Sequence, residues 1–166
     1  MLFVMTALLL DIGGTKCSIA SASNLESVYE LVTAEYKTPE KILAQLAHHG
    51  LELMAKDTEI DRLGISFGGP FDFAHQKVKR SVHVSGWEEF DFADWSMRVL
   101  GIPSVADNDA NVGALGEFVS RDSKHRSLAY VTVSTGIGAG LIINGEIYRG
   151  HGELAGELGH VVIDPS

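Results

Sequence analysis

Four short segments carry side chains whose types and spacing point to chemistry. Asp11-Ile12-Gly13-Gly14-Thr15-Lys16 follows the apolar run Ala7–Leu10. Without Cβ atoms, Gly13 and Gly14 let backbone N–H groups approach an anion, while the Thr15 hydroxyl and the Lys16 ammonium donate to phosphate oxygens. The spacing is not that of a Walker loop, and an ordinary hairpin turn with an Asp11 side-chain bond is the alternative reading. Ser134-Thr135-Gly136-Ile137-Gly138-Ala139-Gly140 is a second glycine segment. It leads into Leu141–Ile143 and the hairpin dipeptide Asn144-Gly145 rather than into a helix, which disfavours dinucleotide binding of the G-x-G-x-x-G kind. A nest of N–H groups and a bulged turn both remain open.

Asp107-Asn108-Asp109-Ala110-Asn111 gathers polar side chains where a strand is expected to become a helix. One of them serves as the helix cap, but a cap needs only one. A carboxylate at such a strand end accepts a proton from a substrate hydroxyl, and a neighbouring Asn orients that hydroxyl. The fourth segment is Gly156-Glu157-Leu158-Gly159-His160. Glu and His three apart share a helical face in di-iron bundles. The flanking glycines argue instead for a loop that presents both side chains to a polar ligand, with a purely structural histidine as the other reading.

The elements that hold these segments follow from hydrophobic periodicity. Ala7–Leu10 and Cys17–Ala22 read as two strands of a hairpin, with a third strand near Val28–Tyr36. Thr38-Pro39 opens a helix whose apolar positions are Ile42, Leu43, Leu46, Leu51, Leu53 and Met54. Leu63–Phe67 is a buried strand, and Gly86-Trp87 reads as a turn. A helix covers Phe92–Leu100 before Gly101 and Pro103, and a second runs from about Ala110 to Val119. Leu128–Ser134, Leu141–Ile143 and Val161–Ile163 are further strands, with Gly136–Gly140 as a turn. The order of these elements points to an α/β layer architecture. Leu8–Ala20 and Ala129–Ile143 echo each other as strand, Gly/Thr turn, strand. Residues 120–126 form the one strongly polar connector, which sets the expected boundary between domains at 1–120 and 127–166.

Composition narrows the functional classes. With 13 Lys+Arg against 22 Asp+Glu the net charge is −9, against nonspecific binding to a phosphate backbone. At 45% hydrophobic and 21% charged residues the chain is globular rather than disordered. The single Cys17 allows no internal disulfide, so a reducing, cytoplasmic setting is expected. The apolar start has no preceding Lys or Arg and ends at Asp11, so it reads as a strand rather than a leader or a membrane span.

In this order the motifs resemble the ROK family of sugar kinases and sugar-responsive repressors, in particular its glucokinase branch, within the actin-like ATPase superfamily. Leu10–Lys16 is similar to the family's first phosphate motif, Gly64–Pro70 to its strand ending in Gly-Pro, and Asn108–Asn111 with Ala114–Glu117 to its catalytic segment. Thr135–Gly140 is similar to its second phosphate motif and Gly156–His160 to its sugar loop. The resemblance implies a ribonuclease H-like first lobe and the beginning of a second, similar lobe. It also implies transfer of the γ-phosphoryl group of ATP to a hexose, with glucose as the default sugar and Asp109 as general base. Asn108, Glu157, His160 and Gly69 would hold the sugar. Asp11, Gly13, Gly14, Thr15, Lys16, Thr135, Gly136 and Gly138 would serve ATP, with Asp11 orienting Mg2+ through water. His160 is also a zinc ligand by resemblance, but only if a cysteine motif follows that this sequence does not contain. His83 stands where many members have Asn. A sugar-responsive regulator and a non-catalytic sugar-binding fragment are the alternatives. The expected partners are a hexose and ATP, without nucleic acid or membrane, and family members are often dimers.

Overall fold

A computed structural model describes residues 6–79, 86–121, 125–133 and 136–164. Thr135, His83 and part of the polar connector lie outside these residues. The chain divides into two compact units, Met1–Asp107 and Asn108–Ser166.

The first unit opens with a meander of β1 (Thr6–Ile12), β2 (Lys16–Ser21) and β3 (Asn24–Val32), paired antiparallel. The third strand ends at Val32 rather than continuing to Tyr36. The Thr33 amide bonds Thr15 O, and the chain then makes one helical turn, α1 (Thr33–Tyr36), closed by Lys37 at φ 60°. Helix α2 (Pro39–Lys56) follows with Pro39 in its first turn, where the missing N–H costs nothing. Strand β4 (Ile60–Phe67) lies parallel to β1. A small hairpin of β5 (Phe71–Asp72) and β6 (Lys77–Val78), helix α3 (Phe92–Val99) and strand β7 (Ser104–Asn108) complete the series. The sheet order is β3-β2-β1-β4-β7.

The period of two in β1 decides which side chains face the core. Leu8, Leu10 and Ile12 are buried, as are Leu63, Ile65 and Phe67 of β4, and they pack with Ile42, Leu43 and Leu46 of α2. Each such burial contributes about 1.5–3 kcal/mol. The same alternation turns Asp11 outward. Gly86 is a turn residue at φ 95°, but Trp87 is 1% exposed and belongs to an aromatic cluster with Phe67, Phe71, Phe90 and Phe92.

The second unit consists of α4 (Asp109–Ser120), β8 (Leu128–Val133), β9 (Ile137–Ile143) and β10 (Glu146–Ile147), with sheet order β10-β9-β8. Helix α4 packs on β8 and β9, and the division between the two compact units falls ahead of this helix. Like β1–β2, β8–β9 is an antiparallel hairpin, and Asn144-Gly145 turns β9 into β10 with φ of 56° and 90°.

Two expectations are corrected here. Strand β9 begins at Ile137, so Gly138 and Gly140 are strand residues opposite Thr132 and Tyr130, not parts of a turn. Val161–Ile163 forms no strand. These residues are 59, 76 and 94% exposed and follow a short 3-10 turn, Leu158–His160, without a strand partner among the described residues.

Candidate functional site

In the first unit, the end of β1 leads into a glycine turn. Asp11 is exposed on the outward face, and the parallel register sets it opposite Ser66 of β4. The Ser66 hydroxyl donates to Asp11 Oδ1 at 2.7 Å, which fixes one carboxylate oxygen. The Gly13 amide donates to Lys16 O at 2.9 Å and closes the turn. Gly13 O accepts from the buried Thr33 hydroxyl at 2.9 Å and from Cys17 Sγ at 3.7 Å, so the turn is held from below. Gly14, Thr15 and Lys16 are exposed above it. The Lys16 ammonium meets Glu30 Oε2 at 2.7 Å, and that bond raises its pKa above the ordinary lysine range. Burial likewise pushes the Cys17 thiol up, which makes it a poor nucleophile at neutral pH. Gly69 sits just past β4, its amide bonded to Phe67 O, while the Gly68 amide bonds Ile12 O.

Neither Ser66 nor Thr33 stood out in the sequence. Ser66 was reachable: aligning the two apolar runs at the glycines that end them, Ile12-Gly13 and Phe67-Gly68, sets Asp11 against Ser66. Thr33→Val keeps the shape of the side chain but deletes the bond to Gly13 O. The expected result is a loss of about 1 kcal/mol, read as a lower urea midpoint at unchanged slope.

In the second unit, Asn108 and Asp109 form the start of α4. Asn108 is half-buried and caps the helix, its Oδ1 accepting from the Ala110 amide at 3.0 Å. Asp109 is exposed, and its Oδ1 accepts from the same amide at 2.8 Å. The cap therefore falls to Asn108 and leaves the Asp109 carboxylate at the surface, beside the positive end of the helix dipole. Gly136 precedes β9 and is exposed, whereas Gly138 lies within it and its carbonyl accepts from the Thr132 hydroxyl at 3.3 Å. Glu157 and His160 come together on the loop after β10, with Nε2 to Oε2 at 3.8 Å and side-chain exposures of 43% and 85%. Gly156 anchors that loop, its carbonyl accepting from the Ala139 amide of β9 at 2.7 Å.

Residues 7–166 match the ROK family. The chain belongs to the ROK family. Among curated relatives it is 32% identical over 164 residues to the N-acetylmannosamine kinase of Salmonella typhimurium, covering 97% of this chain and 55% of that protein. It is 31% identical over 155 residues to the xylose repressor of Bacillus spizizenii, covering 92% of this chain and 40% of that one. Among solved structures it is similar to a ROK family glucokinase from Streptomyces griseus in complex with glucose and AMPPNP. The TM-score is 0.75 at 27% identity, covering 96% of this chain and 51% of that one. The chain thus spans about half the length of the relatives it matches. Its mixed sheet with flanking helices is the actin-like ATPase fold of ROK kinases.

Two metals are implied by ROK membership, and the residues fit them differently. Mg2+ takes one or two carboxylates together with substrate phosphates. Asp11, exposed and with one oxygen fixed by Ser66, fits that role. Structural zinc takes four donors. His160 has the Glu157 carboxylate as its neighbour, and no three His, Cys, Asp or Glu side chains among the described residues are grouped to hold a metal ion. The described residues of this ROK chain do not fit a zinc centre. No helix among them is long and apolar enough to cross a membrane.

Proposed function

We propose that this ROK chain is part of an ATP-dependent sugar kinase that phosphorylates a hydroxyl of a hexose or of an N-acetylated hexosamine. The observation that carries the reading is the start of α4. Asn108 and Asp109 both accept from the Ala110 amide at the helix end, and the Asp109 carboxylate is exposed there, where a substrate hydroxyl can reach it. The N-acetylmannosamine kinase relative and the glucokinase neighbour support the reaction class. Glucose, the sugar expected from the motifs, and N-acetylmannosamine both belong in the substrate panel.

ATP supplies the γ-phosphoryl group, which passes to the sugar oxygen as its bond to the β-phosphate oxygen breaks. Asp109 takes the proton of the attacking hydroxyl, and Asn108, Gly69, Glu157 and His160 orient the sugar. The Gly14 amide and the Thr15 hydroxyl hold phosphate oxygens, with Gly13 keeping the turn closed beneath them through its bond to Lys16 O, and Thr135, Gly136 and Gly138 form the second phosphate segment. Asp11 would hold Mg2+ through water, and the ion would offset charge on the phosphates. Phosphoryl transfer has a loose transition state, so most of the acceleration comes from this positioning and electrostatics. The net charge of −9 makes the local donors matter, because the chain as a whole repels a nucleotide.

The test is ADP release by the protein at its natural length, with ATP and a panel of glucose, mannose, fructose, allose and N-acetylmannosamine, the product identified by mass. Turnover of any of them supports the kinase. Sugar binding by calorimetry without turnover sinks it and favours a sugar-responsive regulator, a reading to which the similarity with the xylose repressor gives weight.

The Lys16–Glu30 pair gives a further expected result. Both groups are solvent-exposed, and phosphate must compete with Glu30 for the ammonium. Glu30→Gln removes the competitor, so the KM for ATP falls by about two- to fivefold at unchanged kcat, the range that an exposed pair allows. An unchanged or raised KM would show that Lys16 does not meet phosphate.

A further inference from the structure

Strand β7 ends the order of its sheet, so among the described residues one of its edges has no neighbouring strand. Ala106 lies within it and is 1% exposed, and buried backbone groups need partners. The carboxamide of Gln76 supplies both. Gln76 Oε1 accepts from the Ala106 amide at 2.7 Å, and Nε2 donates to Ala106 O at 3.2 Å. The side chain thereby does what one residue of an antiparallel strand does when it exchanges both bonds with its opposite number. Nε2 also donates to Phe73 O at 2.8 Å, which ties the amide to its own turn.

That turn is built to deliver the amide. Asp72 Oδ1 accepts from the His75 amide at 3.0 Å, and its Oδ2 contacts His75 Nδ1 at 3.0 Å, closing the link between β5 and β6. Gln76 then takes a left-handed conformation, φ 56°, which a glutamine rarely adopts. A strained residue held in place by three hydrogen bonds is over-determined by its surroundings, and such positions cluster near functional sites. Ala106 is two residues before Asn108 and three before Asp109 on the same run of chain.

We propose that Gln76 is a positioning residue for phosphoryl transfer: its carboxamide takes the place of a missing strand on β7 and fixes where that strand delivers Asn108 and Asp109. The proposal rests on the kinase reading above. Gln76 touches no reacting group and acts only through the Ala106 backbone. A misplacement of about 1 Å at a reacting group costs up to about a hundredfold in rate. Loss of the tether is therefore expected to show in kcat more than in fold.

The test uses the protein at its natural length and three variants. Gln76→Gly suits the left-handed backbone and deletes the amide, so it separates the tether from the strain of the turn. Gln76→Asn keeps the functional group but is one methylene too short to reach. Gln76→Glu keeps the reach and the acceptor for the Ala106 amide but places a carboxylate oxygen against Ala106 O. Hydrogen exchange at Ala106 is expected to rise at least about tenfold in Gly and Asn variants, and kcat to fall about tenfold with the KM for ATP within about twofold of wild type. Gln76→Glu is expected to fall between them and wild type. Unchanged Ala106 exchange in Gln76→Gly overturns the tether. Faster exchange with wild-type kcat overturns its role in positioning. A wild-type protein that turns over no sugar overturns the kinase reading, and the catalytic half of this proposal with it, while Ala106 exchange still decides the tether.

Discussion

Asp109→Asn is expected to lower kcat by about 10²–10⁴-fold, the contribution of a positioned general base. The substitution is nearly isosteric, and the Asn side-chain oxygen still accepts from the Ala110 amide, as Asp109 Oδ1 does at 2.8 Å. Asn108 also accepts from that amide, so the start of α4 keeps its cap and the fold is expected to survive. What disappears is the capacity to take a proton. The carboxylate stands at the positive end of a helix, and in a loose transition state its main service is to orient the hydroxyl. Sugar affinity by calorimetry should stay within a few-fold of wild type, and the loss should appear in ADP release at saturating sugar. A fall of less than about tenfold would remove Asp109 from the base role and leave it as a helix-start residue.

Those features of the fold that depend on neighbours along the chain were open to a reader of the sequence. The alternation of Leu8, Leu10 and Ile12 gave β1 its two faces, Pro39 and the spacing of Ile42, Leu43 and Leu46 gave α2, and Asn144-Gly145 gave a hairpin turn. What depends on partners far along the chain was not. Val161–Ile163 is apolar and β-branched, which reads as a strand, yet a strand forms only where another offers hydrogen bonds. The site divides along the same line. Asn108 and Asp109 announce themselves by type and spacing, as do Gly13 to Lys16. The residues that hold them in place, Ser66 on Asp11, Thr33 on Gly13 and Gln76 on Ala106, act across 55, 20 and 30 positions of sequence. Each is a common polar residue whose role exists only once the sheet has formed.

The glycines of β9 make that difference measurable. In the sequence Gly136, Gly138 and Gly140 share one segment that resembles the family's second phosphate motif, but the structure separates them. A Cβ on Gly140 would run into Ala110 O and would lie 2.6 Å from the Ala114 Cβ, because α4 crosses β9 at that point. A Cβ on Gly136 would meet nothing within 4 Å. Gly140→Ala is therefore expected to destabilise the protein by about 1–3 kcal/mol or more, as overpacking a tight contact does. The melting temperature should drop by several degrees, since 1 kcal/mol shifts it by about 2–8 °C depending on the size of the cooperative unit. Adding Ala114→Gly should recover little, because the nearer obstacle is the Ala110 carbonyl of the backbone, which no side-chain substitution removes. The carbonyl belongs to the residue after Asp109, so forcing α4 outward also displaces Asp109, the proposed general base, and kcat should fall with stability. Gly136→Ala should leave the melting temperature within about 1 °C of wild type, in line with a surface substitution of under about 0.5 kcal/mol. If Gly136 contributes an amide to phosphate, its effect appears instead as a raised KM for ATP. Equal melting temperatures for the two variants would show that α4 does not press on β9 at Gly140, and the packing that anchors Asp109 would have to be sought elsewhere.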